Sequence, residues 1–144
     1  RFGRLDALVN NASSFHATPL DTLGAEAWED LVGTNLRAPL FLAKAAAPHL
    51  RRSRGAIVNI VDIHAERPLA GFLAYSVAKS GLAGLTRAMA NEWASKGINV
   101  NAIAPGYMAT DNTSALQADP QRSAAVLARI PAGRWGTPGD LKVE

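Results

Sequence analysis

An α/β fold built on a parallel sheet is predicted for this chain by three stretches that follow one another. Gly55 to Val61 is a β-branched apolar run of the kind that forms a buried strand. After it, Leu82, Leu85, Met89 and Trp93 recur at helical spacing as far as Gly97, a residue suited to ending a helix. Ile98 to Ile103 then returns to strand character and runs out into Ala104, Pro105 and Gly106. Strand, helix and strand in this order form a parallel crossover, and ligands of such sheets sit beyond the carboxyl ends of the strands.

The other elements follow in chain order. Arg1 to Asp6 reads as the tail of a helix, and Leu5, Ala7, Leu8 and Val9 as the strand it enters. Asn10, Asn11 and Ala12 close that strand; on turn chemistry alone they are an Asn-rich turn. Ser13 to Leu20 is then a loop at a strand's carboxyl end, where Phe15 would simply pack underneath unless a ligand engages it. From about residue 26 to 50, Trp28, Leu31, Val32, Leu36, Leu40, Ala43 and Leu50 mark one amphipathic helix. Pro39 interrupts it: with no N–H, it leaves the carbonyl of Asn35 without its helical partner, which invites a water molecule or merely kinks the helix. Arg51, Arg52 and Arg54 sit where this helix ends, and there they either complement its dipole or attract an anion. Asp140 to Glu144 reads as the start of a further helix.

The candidate chemistry lies between the second strand and the long helix. Tyr75 and Lys79 are four residues apart, so a helix places them on one face. A fixed ammonium favours a phenolate and would lower the tyrosine's pKa from about 10, making the pair a proton donor. The same spacing also describes a buried tyrosine beside a solvated lysine. Asp62 stands at the carboxyl end of the strand before them, where a carboxyl beside a phenol can relay a proton.

Composition narrows the possibilities. The 144 residues have the length of one domain, with 48% apolar residues and a net charge of +3. The chain lacks cysteine, so it has neither disulfides nor thiolate metal sites, and its three histidines lack metal-ligand spacing. Basic residues do not interleave with aromatics as they do in nucleic-acid binders. No apolar run reaches the roughly 18 residues of a membrane span. No leader pattern is seen at Arg1, and a cytoplasmic location is expected.

Taken together, Asn10-Asn11-Ala12, Asn35, Tyr75 with Lys79, and Pro105-Gly106 with Thr110 resemble the short-chain dehydrogenase/reductase family over essentially the whole chain. The resemblance implies a Rossmann-type doubly wound parallel sheet, an NAD or NADP cofactor, a small-molecule substrate and a homo-oligomer. In it, Asn10, Asn11 and Ala12 stabilise the central sheet and line the cofactor cleft. Asn35 holds a water that links Lys79 to solvent, Lys79 holds the nicotinamide ribose, and Tyr75 transfers the proton. Pro105, Gly106 and Thr110 border the nicotinamide, although an ordinary strand-ending turn would need no ligand. Residues 112–130 form a substrate lid.

Two departures from the common pattern bear on substrate. Ser13 replaces the usual glycine and Asp62 the usual serine, and with Phe15 they are similar to the pteridine reductases, in which the aromatic stacks on the pterin and the aspartate shares proton delivery. Residues 86–93, 101–113 and 130–136 instead resemble the deoxygluconate and ketodeoxygluconate dehydrogenases. A pterin is the expected substrate, and a sugar acid is the alternative.

The family's glycine-rich phosphate loop has no counterpart here. The first three strands with their helices are therefore expected to be absent, about 70 to 90 residues at roughly 30 per crossover, together with the last strand. The alternative from another class is a fragment without catalysis of its own.

Overall fold

The computed structural model describes residues 2–142; Arg1, Val143 and Glu144, and with them the outer ends of the two terminal helices expected from sequence, lie outside the described residues. The chain divides into two compact units, Arg1–Ala104 and Pro105–Glu144.

The first unit is a parallel three-stranded sheet in the order β1 (Ala7–Asn10), β2 (Ala56–Ile60) and β3 (Asn99–Ile103), each following the apolar run that predicted it. Residues 2–6 are irregular rather than helical. Gly3 takes a left-handed φ of 69°, and Arg4 folds back to pair with Asp6. Register places Leu8 opposite Ile57 and Ile57 opposite Val100, with Asn10 opposite Asn59 one layer further along. One sheet face therefore carries an apolar layer and then a polar one.

Two crossover helices cover that face: α2 (Ala38–Ser53) leads to β2, and α3 (Leu73–Trp93) leads to β3. Ala43, Ala46, Ala47 and Leu50 of α2 share a core with Ile57, Met89, Ile98 and Val100. Leu50, Ile57 and Ile98 are fully buried, and burying each such side chain contributes roughly 1.5–3 kcal/mol. The opposite sheet face is open, with Val9 57% exposed. Gly97 ends the α3 segment in left-handed backbone (φ 76°), as its position predicted.

The helix expected over residues 26–50 is not continuous. It runs as α1 (Ala25–Val32), a π-helical turn at Gly33–Arg37, and then α2. Pro39 deprives Asn35 of its donor, and the chain responds by widening, with the Ala38 N–H bonded to the carbonyl of Gly33 five residues back. A second proline inside α2, Pro48, causes no break; it and Lys44, four residues before it, are both exposed. The arginine cluster takes the capping role: Arg51 and Arg52 occupy the last turn of α2, and Arg54 is its left-handed C-cap at φ 54°.

The second unit holds two short helices, α4 (Ser114–Ala118) and α5 (Pro120–Leu127), inside the stretch expected as a lid. Asp119 caps α5 by accepting the N–H groups of Gln121 and Arg122 at 3.0 Å, and Pro120 follows at the first helical position. Met108 bridges to Gly136, and the Trp135 indole donates to Ser123 at 3.2 Å. The helix expected from Asp140 is instead a short 3₁₀ turn, Pro138–Leu141, capped through Thr137 and Asp140 and tied to Arg134 at 2.7 Å. Among the described residues no helix is long and apolar enough to cross a membrane.

Candidate active site

Four segments of the first unit converge where β1 and β2 end. The chain leaving β2 delivers Asp62, α3 delivers Tyr75 and Lys79, the π-helical turn delivers Asn35, and the loop after β1 delivers Ser13 and Phe15. Their meeting follows from the topology, because parallel strands end together at one edge of the sheet.

Tyr75 is buried, and its hydroxyl donates to Asp62 Oδ2 at 2.9 Å. The other carboxylate oxygen, Oδ1, accepts the backbone N–H of His64 at 2.8 Å, which caps the one-turn helix Ile63–Ala65 and fixes the carboxylate. Lys79 lies one turn from Tyr75 and is only 3% exposed, so it is not the solvated lysine of the alternative reading. Its ammonium donates to the carbonyl of Ile60 at 2.9 Å and sits 5.6 Å from the centre of the Tyr75 ring.

The electrostatics correct the expectation that Lys79 lowers the pKa of Tyr75. Burial, reinforced by the Asp62 charge and by the hydrogen bond to its carboxylate, pushes the phenol well above its ordinary value; only Ser13 opposes the rise. The ammonium of Lys79 is itself weakened by burial, with Asp62 opposing that shift. Tyr75 is thus held as a neutral phenol.

Asn35 is 1% exposed and fully engaged. Its Nδ2 donates to the carbonyls of Ser14 (3.0 Å) and Leu31 (2.9 Å), and its Oδ1 accepts from the Ser13 hydroxyl at 2.6 Å. The side chain therefore ties the π-helical turn to the loop after β1. Phe15 does not pack beneath that loop; it is 55% exposed, stacks on Phe72 at 4.6 Å and meets the Tyr75 ring edge-on at 4.8 Å.

The remaining predicted residues divide. Asn10 is buried and donates to Asn59 Oδ1 at 2.8 Å, whereas Asn11 and Ala12 are exposed at the strand's carboxyl end. Pro105, Gly106 and Thr110 belong to the second unit, where Thr110 caps the turn Asp111–Thr113.

Sequence reasoning passed over three residues that hold this site in place. Asn59 passes its own amide hydrogen to Thr86 at 2.9 Å, and Thr86 donates to the carbonyl of Leu82 at 2.8 Å, so a buried polar chain links β1, β2 and α3. The signal was an asparagine alternating with isoleucine inside an apolar strand. Thr18 is buried and accepts the Ala74 N–H at 3.2 Å, joining the loop to the start of α3.

Fit to a dinucleotide can be tested at Lys79. An ammonium has three hydrogens, and one is used on Ile60. Two remain for a diol such as a ribose, so the donor set fits.

A family model described as enoyl-(acyl carrier protein) reductase matches residues 1–142. The 2-dehydro-3-deoxy-D-gluconate 5-dehydrogenase of Escherichia coli K12 is 47% identical over 97% of this chain and 56% of its own length. The enzyme of the same name from Dickeya dadantii is 42% identical over 98% and 56%. The crystal structure of a gluconate 5-dehydrogenase from Burkholderia cenocepacia, in complex with NADP and tartrate, superposes with a TM-score of 0.86 at 36% identity, covering 95% of this chain and 54% of that one. The chain spans about half the length of the curated relatives it matches. With its parallel sheet and its Tyr75, Lys79 and Asn35 in place, the chain belongs to the short-chain dehydrogenase/reductase family.

Proposed function

We propose that these residues form the proton-transfer half of an NAD(P)-dependent oxidoreductase acting on a small sugar acid of the deoxygluconate type. The observation that carries this reading is the buried Tyr75 hydroxyl bonded to Asp62 at 2.9 Å, with Lys79 one turn away. A bound nicotinamide would supply or accept the hydride. Tyr75 supplies the proton: as the carbonyl carbon gains hydride, the phenol O–H passes its proton to the carbonyl oxygen, and oxidation of the alcohol reverses both transfers. Burial and Asp62 keep the phenol in the protonated form from which it donates. Lys79 offsets the charge on the phenolate left behind and offers its two remaining hydrogens to the ribose. Asp62 orients the phenol, and Asn35 ties the loop that carries Ser13 and Phe15 to the π-helical turn. Asn11, Ala12, Pro105, Gly106 and Thr110 are assigned to the cofactor cleft by family pattern, while the engagement of Asn10 with Asn59 gives that residue a sheet-stabilising part.

Relatives named for a deoxygluconate favour the sugar acid over the pterin. The pterin remains a second reading on one observation: Phe15 and Asp62, the two pteridine reductase-like features, both touch Tyr75. The exposed Phe41 and Leu42 on α2 (56% and 54%) support a homo-oligomer in the complete protein. The deciding experiment compares kcat/KM of the complete protein for deoxygluconate oxidation and dihydropterin reduction under NAD(H) and NADP(H). Faster turnover of the sugar acid is expected; a preference for the pterin would return the assignment to that class.

A further inference from the structure

We infer that His64 carries protons between solvent and Tyr75, acting through Asp62 rather than on the substrate itself. The inference rests on the proton-transfer reading above.

The need comes from burial. Tyr75 is 5% exposed, yet its hydroxyl must be reloaded after each proton it gives up. Both amide hydrogens of Asn35 are committed to the carbonyls of Ser14 and Leu31, and Lys79, itself buried, spends one of its hydrogens on Ile60. Asp62 is placed differently, because its two oxygens have different partners. Oδ2 accepts the Tyr75 hydroxyl at 2.9 Å, whereas Oδ1 accepts the backbone N–H of His64 at 2.8 Å and lies 4.0 Å from Nε2 of the same residue.

Hydrogen counting fixes the His64 ring. Nδ1 is 3.0 Å from the carbonyl of Arg67, which can only accept, so Nδ1 carries a hydrogen. In the neutral ring Nε2 then offers the carboxylate a lone pair, and neither group has a hydrogen to share. Only the protonated ring has an Nε2 hydrogen, and its charge draws it to Asp62 across a gap about 1 Å longer than a hydrogen bond. Histidine changes charge near neutral pH, which suits it to shuttle protons. The side chains of His64 and Asp62 are 16% and 27% exposed, so water reaches the pair. In reduction, the phenolate left by proton donation takes a proton from Oδ2 as Oδ1 takes one from the imidazolium, and the ring regains its proton from water. One proton enters for each one given to substrate, and oxidation runs the same transfers backwards.

The charges that bear on the ring are Asp62 and, on its own turn, the exposed Glu66 and Arg67. The helix packed against that turn, α3, brings Lys79, which is bonded to Ile60, and the neutral hydroxyl of Ser80, which donates to the carbonyl of Ala65 at 2.8 Å.

The test uses the complete protein and the substrate it turns over fastest. His64→Ala is compared with His64→Asn, whose amide can keep the bond to Arg67 but has no nitrogen in the place of Nε2. Both should lower kcat about tenfold, less than the 10²–10⁴-fold typical of losing the proton donor itself, with KM nearly unchanged. Added imidazole should restore most of the rate lost in His64→Ala, and do so saturably. In an Asp62→Asn background, whose amide cannot pass a proton on, His64→Ala should have no further effect. Wild-type kcat in His64→Asn, no rescue by imidazole, or losses that multiply in the Asp62→Asn background would overturn the inference and leave His64 a structural part of its turn. Tyr75→Phe is measured alongside: full activity there would fault the proton-transfer reading and the inference with it, whereas its loss beside a fully active His64→Ala would overturn the role of His64 alone.

Discussion

Tyr75 and Asp62 define the site more than any other pair, because the Asp62 charge and hydrogen bond add to burial in holding Tyr75 protonated. The elevated pKa of Tyr75 has a stability consequence whose sign is fixed. Stability tied to the protonated phenol is fully present below the ordinary tyrosine value of about 10 and is lost as pH rises toward the raised folded value. Lys79 acts oppositely: its folded value lies below the unfolded one, so between the two, stability rises with pH. Replacing Asp62 by Asn removes the carboxylate charge. The Tyr75 phenolate should then appear about 1–3 units lower in a 295 nm titration, the usual effect of one nearby charge; an unchanged midpoint would mean that burial alone holds the phenol neutral. Tyr75, Lys79 and Asp62 were legible from helical spacing and from the end of an apolar strand. The direction of the Tyr75 shift was not, since it depends on burial and on which oxygen of Asp62 faces the ring, and spacing encodes neither. Asn59 and Thr86 escaped notice because a lone polar residue in a strand or helix shows its meaning only when its partner is brought alongside.

The elements hold these side chains through a few close approaches. Gly55 joins α2 to β2: its N–H donates to the carbonyl of Leu50 at 2.9 Å, and the next N–H, that of Ala56, donates to Asp6 at 2.9 Å. A Cβ at Gly55 would stand 2.9 Å from both Leu50 Cδ2 and Ser53 Oγ and would collide with the backbone oxygen of Asp6. Backbone cannot yield as a flexible side chain can, so Gly55→Ala should cost about 1–3 kcal/mol, read as a thermal midpoint several degrees lower. A midpoint equal to wild type would show that the α2–β2 junction is looser than its geometry implies. Strand positions were readable from β-branched runs, and the end of α3 from Gly97. The division of the first long helix was readable only as a proline; what Pro39 does, widening one turn so that Asn35 points at Ser13, depends on the loop it meets. Pro48 carries the same local signal and breaks nothing, on a part of α2 where it and Lys44 are exposed.

The first unit is a succession of parallel strands with helices on one face and an open second face, and the acid–base groups gather at its carboxyl edge. The parallel α/β sheet and the family were both legible, because several short motifs occur in order across the whole chain and each agrees with the element that carries it. Substrate was not: Ser13, Phe15 and Asp62 point to one class and residues 86–136 to another, and the relatives side with the latter. The proposed reaction depends on Tyr75 being the group that moves the proton. Its most direct test is steady-state turnover of Tyr75→Phe in the complete protein, with NADPH and NADH affinity measured in parallel by calorimetry. Deleting the hydroxyl while keeping the ring should lower kcat by about 10²–10⁴-fold with cofactor affinity nearly unchanged, whereas turnover equal to wild type would contradict the assignment.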